Sequence, residues 1–188
     1  MSRTIKFYKP FAVLSQFTDV QGRQTLKDYI PVPGVYAAGR LDYNSEGLLL
    51  LTDDGRLAQR LANPRFEHSK TYFVQLEGTI TVEALQRLNH EILLPGLQTR
   101  LASAEAIPPP DIPFRAVRAY HPHSWIKITL SEGKKHQVRR MTASVGFPTL
   151  RLVRVAIGPI TLASLLPGEW RDLSSNELKS ISRMEAQG

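Results

Sequence analysis

A short polar loop followed by an unbroken apolar run constrains this chain more than any other feature. The loop begins with Gly39–Asp42, and the run Leu48–Leu51 follows it. Consecutive leucines bounded by turn residues are typical of a buried strand. Such a strand anchors a loop at the rim of a sheet, where a rigid scaffold displays a charged side chain for chemistry. The pattern therefore makes Asp42 a candidate functional residue.

Length, charge and cysteine content narrow the class of protein. With 188 residues the chain is long enough for one well-buried domain and too short for two full ones. Its 24 Lys and Arg against 17 Asp and Glu give a net charge of +7, which favours a polyanionic partner such as nucleic acid. The absence of cysteine excludes disulfides, cysteine zinc sites and thiol catalysis.

The distribution of apolar residues bears on localisation. No stretch approaches the roughly 18 apolar residues of a membrane span, and the first residues lack the apolar run of a signal peptide. We therefore expect a cytoplasmic protein that has no membrane partner.

Alternating and helical patterns predict an α+β domain with a largely antiparallel sheet. The predicted strands cover residues 4–9, 35–38, 48–52, 70–77, 125–130 and 150–157. The predicted helices cover residues 25–30, 56–62, 81–88, 135–145 and 176–184. There is no regular βαβ repeat, no G-x-G-x-x-G motif and no P-loop.

Basic side chains are concentrated in one stretch, from Lys134 to Arg154. This stretch has no acidic residue and carries +6 of the net +7; its members are Lys134, Lys135, Arg139, Arg140, Arg151 and Arg154, together with His136. Clustered charge of this kind is expected of a nucleic-acid footprint. On this pattern alone, a non-catalytic nucleic-acid-binding protein is an open alternative to an enzyme.

The helix predicted over residues 135–145 separates the roles of its two arginines. Val138, Met141 and Val145 share one face and should point to the core. At about 100° per residue, Arg140 lies on the exposed side and suits phosphate contact, whereas Arg139 lies on the flank. Two roles for Arg139 stay open: it binds phosphate, or it pairs with a partly buried carboxylate such as Asp42 and keeps that group ionised.

Four segments occur together in an order known from one enzyme family. They are residues 7–18, residues 39–49 with Gly-Arg-Leu-Asp and Ser-Glu-Gly-Leu-Leu, residues 70–72 with Lys-Thr-Tyr, and residues 132–141 with Glu-Gly-Lys-Lys-His-Gln-Val-Arg-Arg-Met. Together they resemble the A-type pseudouridine synthases of the small ribosomal subunit. The resemblance implies the pseudouridine synthase fold, in which a largely antiparallel mixed sheet is flanked by helices and two lobes surround a basic active-site cleft.

The start of the matching region bears on domain organisation. Many relatives carry an S4-like RNA-binding module first, whereas here the region that the motifs span begins at residue 5. We therefore expect a two-lobed catalytic domain over residues 1–175 without that module, and a C-terminal tail over residues 176–188. This expected domain organisation, together with the resemblance of residues 147–152 and 168–171, favours the large-subunit branch of the family. The implied partner is 23S ribosomal RNA or an assembly intermediate of the large subunit.

The resemblance also implies a reaction and its residues. A uridine is flipped out of RNA, its N1–C1′ bond is broken, and the uracil is rotated and rejoined through C5. Asp42 would be the nucleophile or a charge stabiliser, Tyr72 would stack on the flipped uracil, and Arg139 would pair with Asp42. The expected RNA-binding residues are Arg40, Lys70, Lys134, Lys135, His136, Arg140, Arg151 and Arg154. No metal or organic cofactor is expected, because the reaction is neither an oxidation nor a hydrolysis. We expect the protein to be a monomer.

The residues taken alone leave other interpretations open. Asp42 also suits a turn former, and Tyr72 also suits ordinary strand packing. A hydrolase would need a second acid such as Glu46 in a different environment, and the spacing of four residues gives no sign of one.

Overall fold

The computed structural model describes residues 2–63, 68–118 and 122–185, with side chains described up to residue 183. The strands are β1 (Thr4–Lys9), β2 (Tyr36–Ala37), β3 (Glu46–Thr52), β4 (Lys70–Glu77), β5 (Leu93–Leu94), β6 (Leu97–Gln98), β7 (Ala102–Ile107), β8 (His123–Leu130), β9 (Thr149–Ile157), β10 (Ile160–Thr161) and β11 (Trp170–Asp172). The helices are α1 (Gly55–Ala62), α2 (Val82–Leu88), α3 (Gln137–Ser144) and α4 (Ser175–Glu185), and a short 3-10 helix covers Leu26–Asp28. The predicted α+β class is confirmed.

The chain divides into two compact units. Unit 1 comprises Met1–His68 and Arg154–Gly188, and unit 2 comprises Ser69–Val153. Strand β9 contributes residues 149–153 to unit 2 and residues 154–157 to unit 1. Over the described ranges, no helix combines the length and the apolar character that crossing a membrane requires.

The centre of unit 1 is β1, which pairs antiparallel with β3 on one side and with β11 on the other. Phe7 is in register with Leu49 of β3 and with Trp170 of β11. All six residues of β1 are buried, including Lys6 and Lys9. The sequence predicts this strand, but its alternation of apolar and polar residues does not predict that both faces are covered.

Lys6 shows how unit 1 accommodates a buried cation. Its ammonium donates to the carbonyl oxygen of Thr161 at 2.7 Å and lies 3.0 Å from Glu177 Oε1 in α4. Charged groups withdrawn from water need such partners. The ion pair therefore ties α4 to β1, and Ile181 of α4 is buried as well. Residues 186–188 of the predicted tail lie outside the described residues.

Helix starts follow the local capping signals in both units. Asp54 caps α1, since one carboxylate oxygen accepts hydrogen bonds from the N–H groups of Arg56 and Leu57. Thr81 caps α2 through a bond from the N–H of Ala84. Thr25 and Asp28 form a capping box at the 3-10 helix, which is shorter than the helix predicted there.

In unit 2, β8 lies between β4 and β7 and is antiparallel to both. The boundaries predicted for the strand at residues 70–77 are confirmed. Strand β7 is not predicted, because Ala102–Ile107 is mostly small or exposed and lacks a strong apolar alternation. Its position is set by Asn89 at the end of α2, whose side-chain amide bonds both the N–H and the carbonyl of Ala104.

Candidate active site

Asp42 lies in a tightly held loop of unit 1 between β2 and β3. The Ser15 hydroxyl donates to the carbonyl of Leu41 at 2.7 Å and accepts from the N–H of Leu41 at 3.1 Å. On the other side, the carbonyl of Asp42 accepts from the N–H of Ser45 at 3.0 Å. Leu41 and Ser45 are buried, whereas Asp42 is half-buried. The loop therefore presents the Asp42 carboxylate from a backbone anchored on both sides.

Gly47 explains why the second part of this motif contains a glycine. Its φ is +105°, and a β-carbon placed there would lie 2.7 Å from the backbone nitrogen of Arg154 and closer still to the Arg154 carbonyl oxygen. Only a residue without a side chain allows both this conformation and this approach of two backbones. Gly47 therefore lets β9 come close to β3 directly after the Asp42 loop.

A buried polar cluster formed by Lys9, Glu46 and Arg154 lies beside the Asp42 loop. Their exposed fractions are 0%, 3% and 4%. The Lys9 ammonium donates to the carbonyls of Val13 at 2.7 Å and Pro10 at 2.9 Å. Glu46 is too deeply buried to serve as the second acid of a hydrolase at the surface.

The environment of Lys9 changes its acidity. The pKa of Lys9 is lowered to about 7; burial is the largest cause, and the positive charge of Arg154 acts in the same direction. The carboxylates of Glu46 and Asp42 act to raise this pKa. Lys9 therefore gains or loses its charge near neutral pH in the surroundings of the Asp42 carboxylate. Sequence reasoning missed this cluster, because a lysine before a proline carries no mark of burial.

In unit 2, Tyr72 and Lys70 are placed by β4. Tyr72 is buried and in register with Ile128 of β8. The end of the Lys70 side chain passes Gly133, since a β-carbon on Gly133 would lie 3.8 Å from Lys70 Cε. The structure thus brings the Lys-Thr-Tyr motif next to the Gly-Lys-Lys-His motif.

The loop before α3 is closed by a network around the buried carboxylate of Glu132. Its Oε1 accepts from the N–H of Arg100 at 2.8 Å and from the Gln137 amide at 2.6 Å, and its Oε2 lies 3.0 Å from Lys134 Nζ. Gln137 Oε1 accepts in turn from the N–H of Lys134 at 3.0 Å. Burial acts to raise the pKa of Glu132, but the bonds from Arg100, Lys134 and Gln137 outweigh it and hold that pKa below its ordinary value.

This network presents the basic loop on a fixed backbone. Lys134, Lys135 and His136 are exposed. His136 adopts the left-handed conformation, with φ of 51°. For this reason α3 begins at Gln137, two residues later than the sequence predicts.

Helix α3 positions Arg139 and Arg140, for which the sequence predicts different roles. Val138 and Met141 are buried as predicted, and Arg139 is half-buried with one guanidinium N–H donating to the carbonyl of Thr149 at 3.2 Å. Arg140, predicted to be exposed, is also half-buried, because its guanidinium donates to the carbonyl of Pro95.

The sequence predicts that Arg151 and Arg154 contact RNA, but the structure buries both side chains. Arg151 is only 3% exposed and donates to the carbonyl of Pro113 at 2.8 Å. Arg154 donates from Nε to the carbonyl of Leu48 at 2.8 Å. Their burial favours a structural role, since a phosphate contact needs a guanidinium that reaches solvent. The remaining basic candidate, Arg40, is exposed in the Asp42 loop.

The candidate residues are distributed over both units. Asp42 and Arg40 belong to unit 1, and Tyr72, Lys70, Arg139 and the exposed basic loop belong to unit 2. Within the part of the chain that the structure describes, no group of three or more His, Asp or Glu side chains is placed to hold a metal ion.

Comparison with known proteins defines the class to which this fold and these motifs belong. The profile of the family described as RNA pseudouridylate synthase matches residues 3–144. A solved structure described as a pseudouridylate synthase superposes with a TM-score of 0.82 at 29% identity, over 96% of this chain and 74% of that chain. The chain therefore belongs to the RNA pseudouridylate synthase family, and the predicted pseudouridine synthase fold, a mixed sheet flanked by helices, is confirmed.

Two relatives are more similar and carry a more specific name. The ribosomal large subunit pseudouridine synthase E of Xanthomonas campestris pv. campestris is 53% identical over 171 residues, which cover 87% of this chain and 91% of the relative. The protein of the same name from Vibrio parahaemolyticus is 49% identical over 175 residues, which cover 91% of this chain and 74% of the relative.

Proposed function

We propose that this protein isomerises a specific uridine to pseudouridine in the 23S ribosomal RNA of the large subunit, and that it does so in the cytoplasm. The observation that carries the proposal is the 53% identity, over nearly the full length of both chains, to a large subunit pseudouridine synthase. The net charge of +7 and the exposed basic loop of unit 2 are the electrostatic features that an RNA substrate requires.

Asp42 is the nucleophile or charge stabiliser of this proposal. The reaction breaks the N1–C1′ bond and forms a C5–C1′ bond; C5 loses its proton to solvent, and N1 gains one. A carboxylate that serves such a reaction must be ionised and must require little reorganisation. The double anchoring of the loop at Leu41 and Ser45 supports the second requirement.

Tyr72 and Arg139 complete the proposed set of catalytic residues. Tyr72 stacks on the flipped uracil and replaces part of the stacking lost from RNA, which is worth about 1–3 kcal/mol per base. Arg139 supplies the guanidinium that pairs with the nucleophile in the proposed reaction. Support for both comes from their place in the ordered motifs and from the strand and helix that hold them.

We assign RNA contacts to the exposed and half-buried basic residues and leave out Arg151 and Arg154. The retained residues are Arg40, Lys70, Lys134, Lys135, His136 and Arg140. The closed network around Glu132 supports the assignment of the loop from Lys134 to His136, because a preorganised loop binds with a smaller loss of entropy.

The test measures release of tritium from 23S ribosomal RNA labelled at uridine C5, since the isomerisation removes the C5 hydrogen. We expect release by the wild-type protein and none by Asp42→Asn, with RNA affinity and thermal stability nearly unchanged. The matched control is Glu91→Gln, which likewise converts a carboxylate to an amide at an exposed residue of unit 2 and should keep full activity. Full activity of Asp42→Asn would refute the role of Asp42.

The same experiment addresses the alternative of a non-catalytic assembly factor, which the basic stretch favours. A binding factor would release no tritium in any form. Its growth phenotype in a deletion strain would also be rescued equally by the wild-type gene and by Asp42→Asn.

A further inference from the structure

The connection between β7 and β8 carries an apolar side chain in full contact with water. Phe114 is 91% exposed, and residues 108–118 form no regular secondary structure. Leaving a large aromatic ring in water is unfavourable. Its position outside the core leaves the ring available to a partner.

The backbone that carries Phe114 is held in place. Four prolines, at positions 108, 109, 110 and 113, restrict the segment before it. The N–H of Ile112 donates to the carbonyl of Pro110 at 2.9 Å. The buried Arg151 donates to the carbonyl of Pro113, the residue directly before Phe114, at 2.8 Å. The ring is therefore displayed from a constrained segment and loses little freedom when it binds.

The charge around Phe114 identifies the chemistry of the partner. Residues 108–118 contain Arg115 and Arg118 and a single acidic residue, Asp111, so the segment carries a net positive charge. An aromatic ring flanked by arginines suits single-stranded nucleic acid, where the ring stacks on a base and the cations face phosphates. A second copy of this chain is disfavoured, because each copy carries a net charge of +7.

We propose that Phe114 stacks on an unpaired base of the substrate RNA that is not the target uridine, and that Arg151 is a positioning residue that holds the Phe114 segment. The proposal rests on the proposed function, since it assumes an RNA substrate. It adds a binding subsite in unit 2 outside the ordered catalytic motifs. It also gives Arg151 a role in RNA binding that acts through the Pro113 carbonyl and not through phosphate.

The first arm of the test changes the ring. We measure the Kd for a 23S ribosomal RNA transcript, together with KM and kcat for tritium release. Phe114→Ala should raise Kd and KM about 5- to 160-fold, the range expected for loss of one stacked base, while kcat at saturating RNA stays unchanged. Phe114→Trp should keep affinity. The control is Val82→Ala, which removes another exposed apolar side chain of unit 2 and should bind as wild type.

The second arm separates positioning from phosphate contact. The slope of log Kd against log salt concentration reports the number of phosphates neutralised. Arg151→Met should raise Kd and leave this slope unchanged, and Phe114→Ala should cause little further loss in the Arg151→Met background. A slope reduced by about one charge in Arg151→Met would overturn the positioning role.

The outcomes distinguish this inference from the proposed function. Tritium release by wild type with an unchanged Kd in Phe114→Ala would overturn the subsite and leave the enzyme activity standing. Loss of RNA affinity in Phe114→Ala without tritium release by wild type would support the subsite and contradict the activity. Normal RNA binding by Phe114→Ala with a change in self-association during sedimentation would identify the ring as a protein contact and overturn the proposal. If Arg151→Met does not fold, the Kd values of Phe114→Ala and Phe114→Trp decide by themselves whether the subsite exists.

Discussion

Replacing Gly47 with alanine tests the close approach of β3 and β9. An alanine at φ of +105° costs about 1–2 kcal/mol in backbone strain. The new β-carbon would also lie 2.7 Å from the Arg154 nitrogen, so the backbones must separate, and overpacking of this kind costs about 1–3 kcal/mol. We therefore expect Gly47→Ala to lower the free energy of unfolding by about 2–5 kcal/mol.

Gly34→Ala is the matched control for this prediction. Gly34 has a similar positive φ, +78°, but nothing lies within 4 Å of a β-carbon placed there. It should lose only the strain contribution of about 1–2 kcal/mol. For a chain of this size the difference of about 1–3 kcal/mol separates the melting temperatures by about 2–12 °C. Urea and thermal denaturation of both variants measure it. Equal losses in the two variants would refute the argument from close approach.

Two further predictions concern pH. Burial acts to raise the pKa of Glu177, but hydrogen bonds from Arg171, Ser174 and Lys6 lower it from 4.5 to about 2. The contribution of Glu177 to the free energy of unfolding is therefore present above pH 4.5 and is lost as the pH falls towards 2. In urea denaturation, Glu177→Gln should lose less stability than wild type between pH 4.5 and pH 2, and an equal loss would contradict this. The folded-state pKa of Lys9 lies at about 7, below the 10.5 of an ordinary lysine, so the unfolded chain binds more protons between these values and stability should rise with pH across that window. Lys9→Met should remove this rise, and a rise of the same size in the variant would show that another group is responsible.

Local patterns along the chain determine much of this protein. The strand at residues 70–77, the leucine strand after Asp42 and the Asp54 and Thr81 caps follow from alternation, apolar runs and capping residues. These elements can be predicted from the sequence because their signals depend on residues only a few positions apart. The order of the motifs likewise indicates the family, which the profile match over residues 3–144 confirms.

Tertiary structure alone decides which cations are buried. Lys6, Lys9, Arg151 and Arg154 look in sequence like solvent-facing or RNA-binding charges, and the fold withdraws all four from water. Arg154 donates to a carbonyl 106 positions away, and Lys6 donates to one 155 positions away. A guanidinium or ammonium offers the same donors to a phosphate as to a backbone carbonyl. Which acceptor it meets depends on the strands that the fold places beside it, so no local pattern could have assigned it.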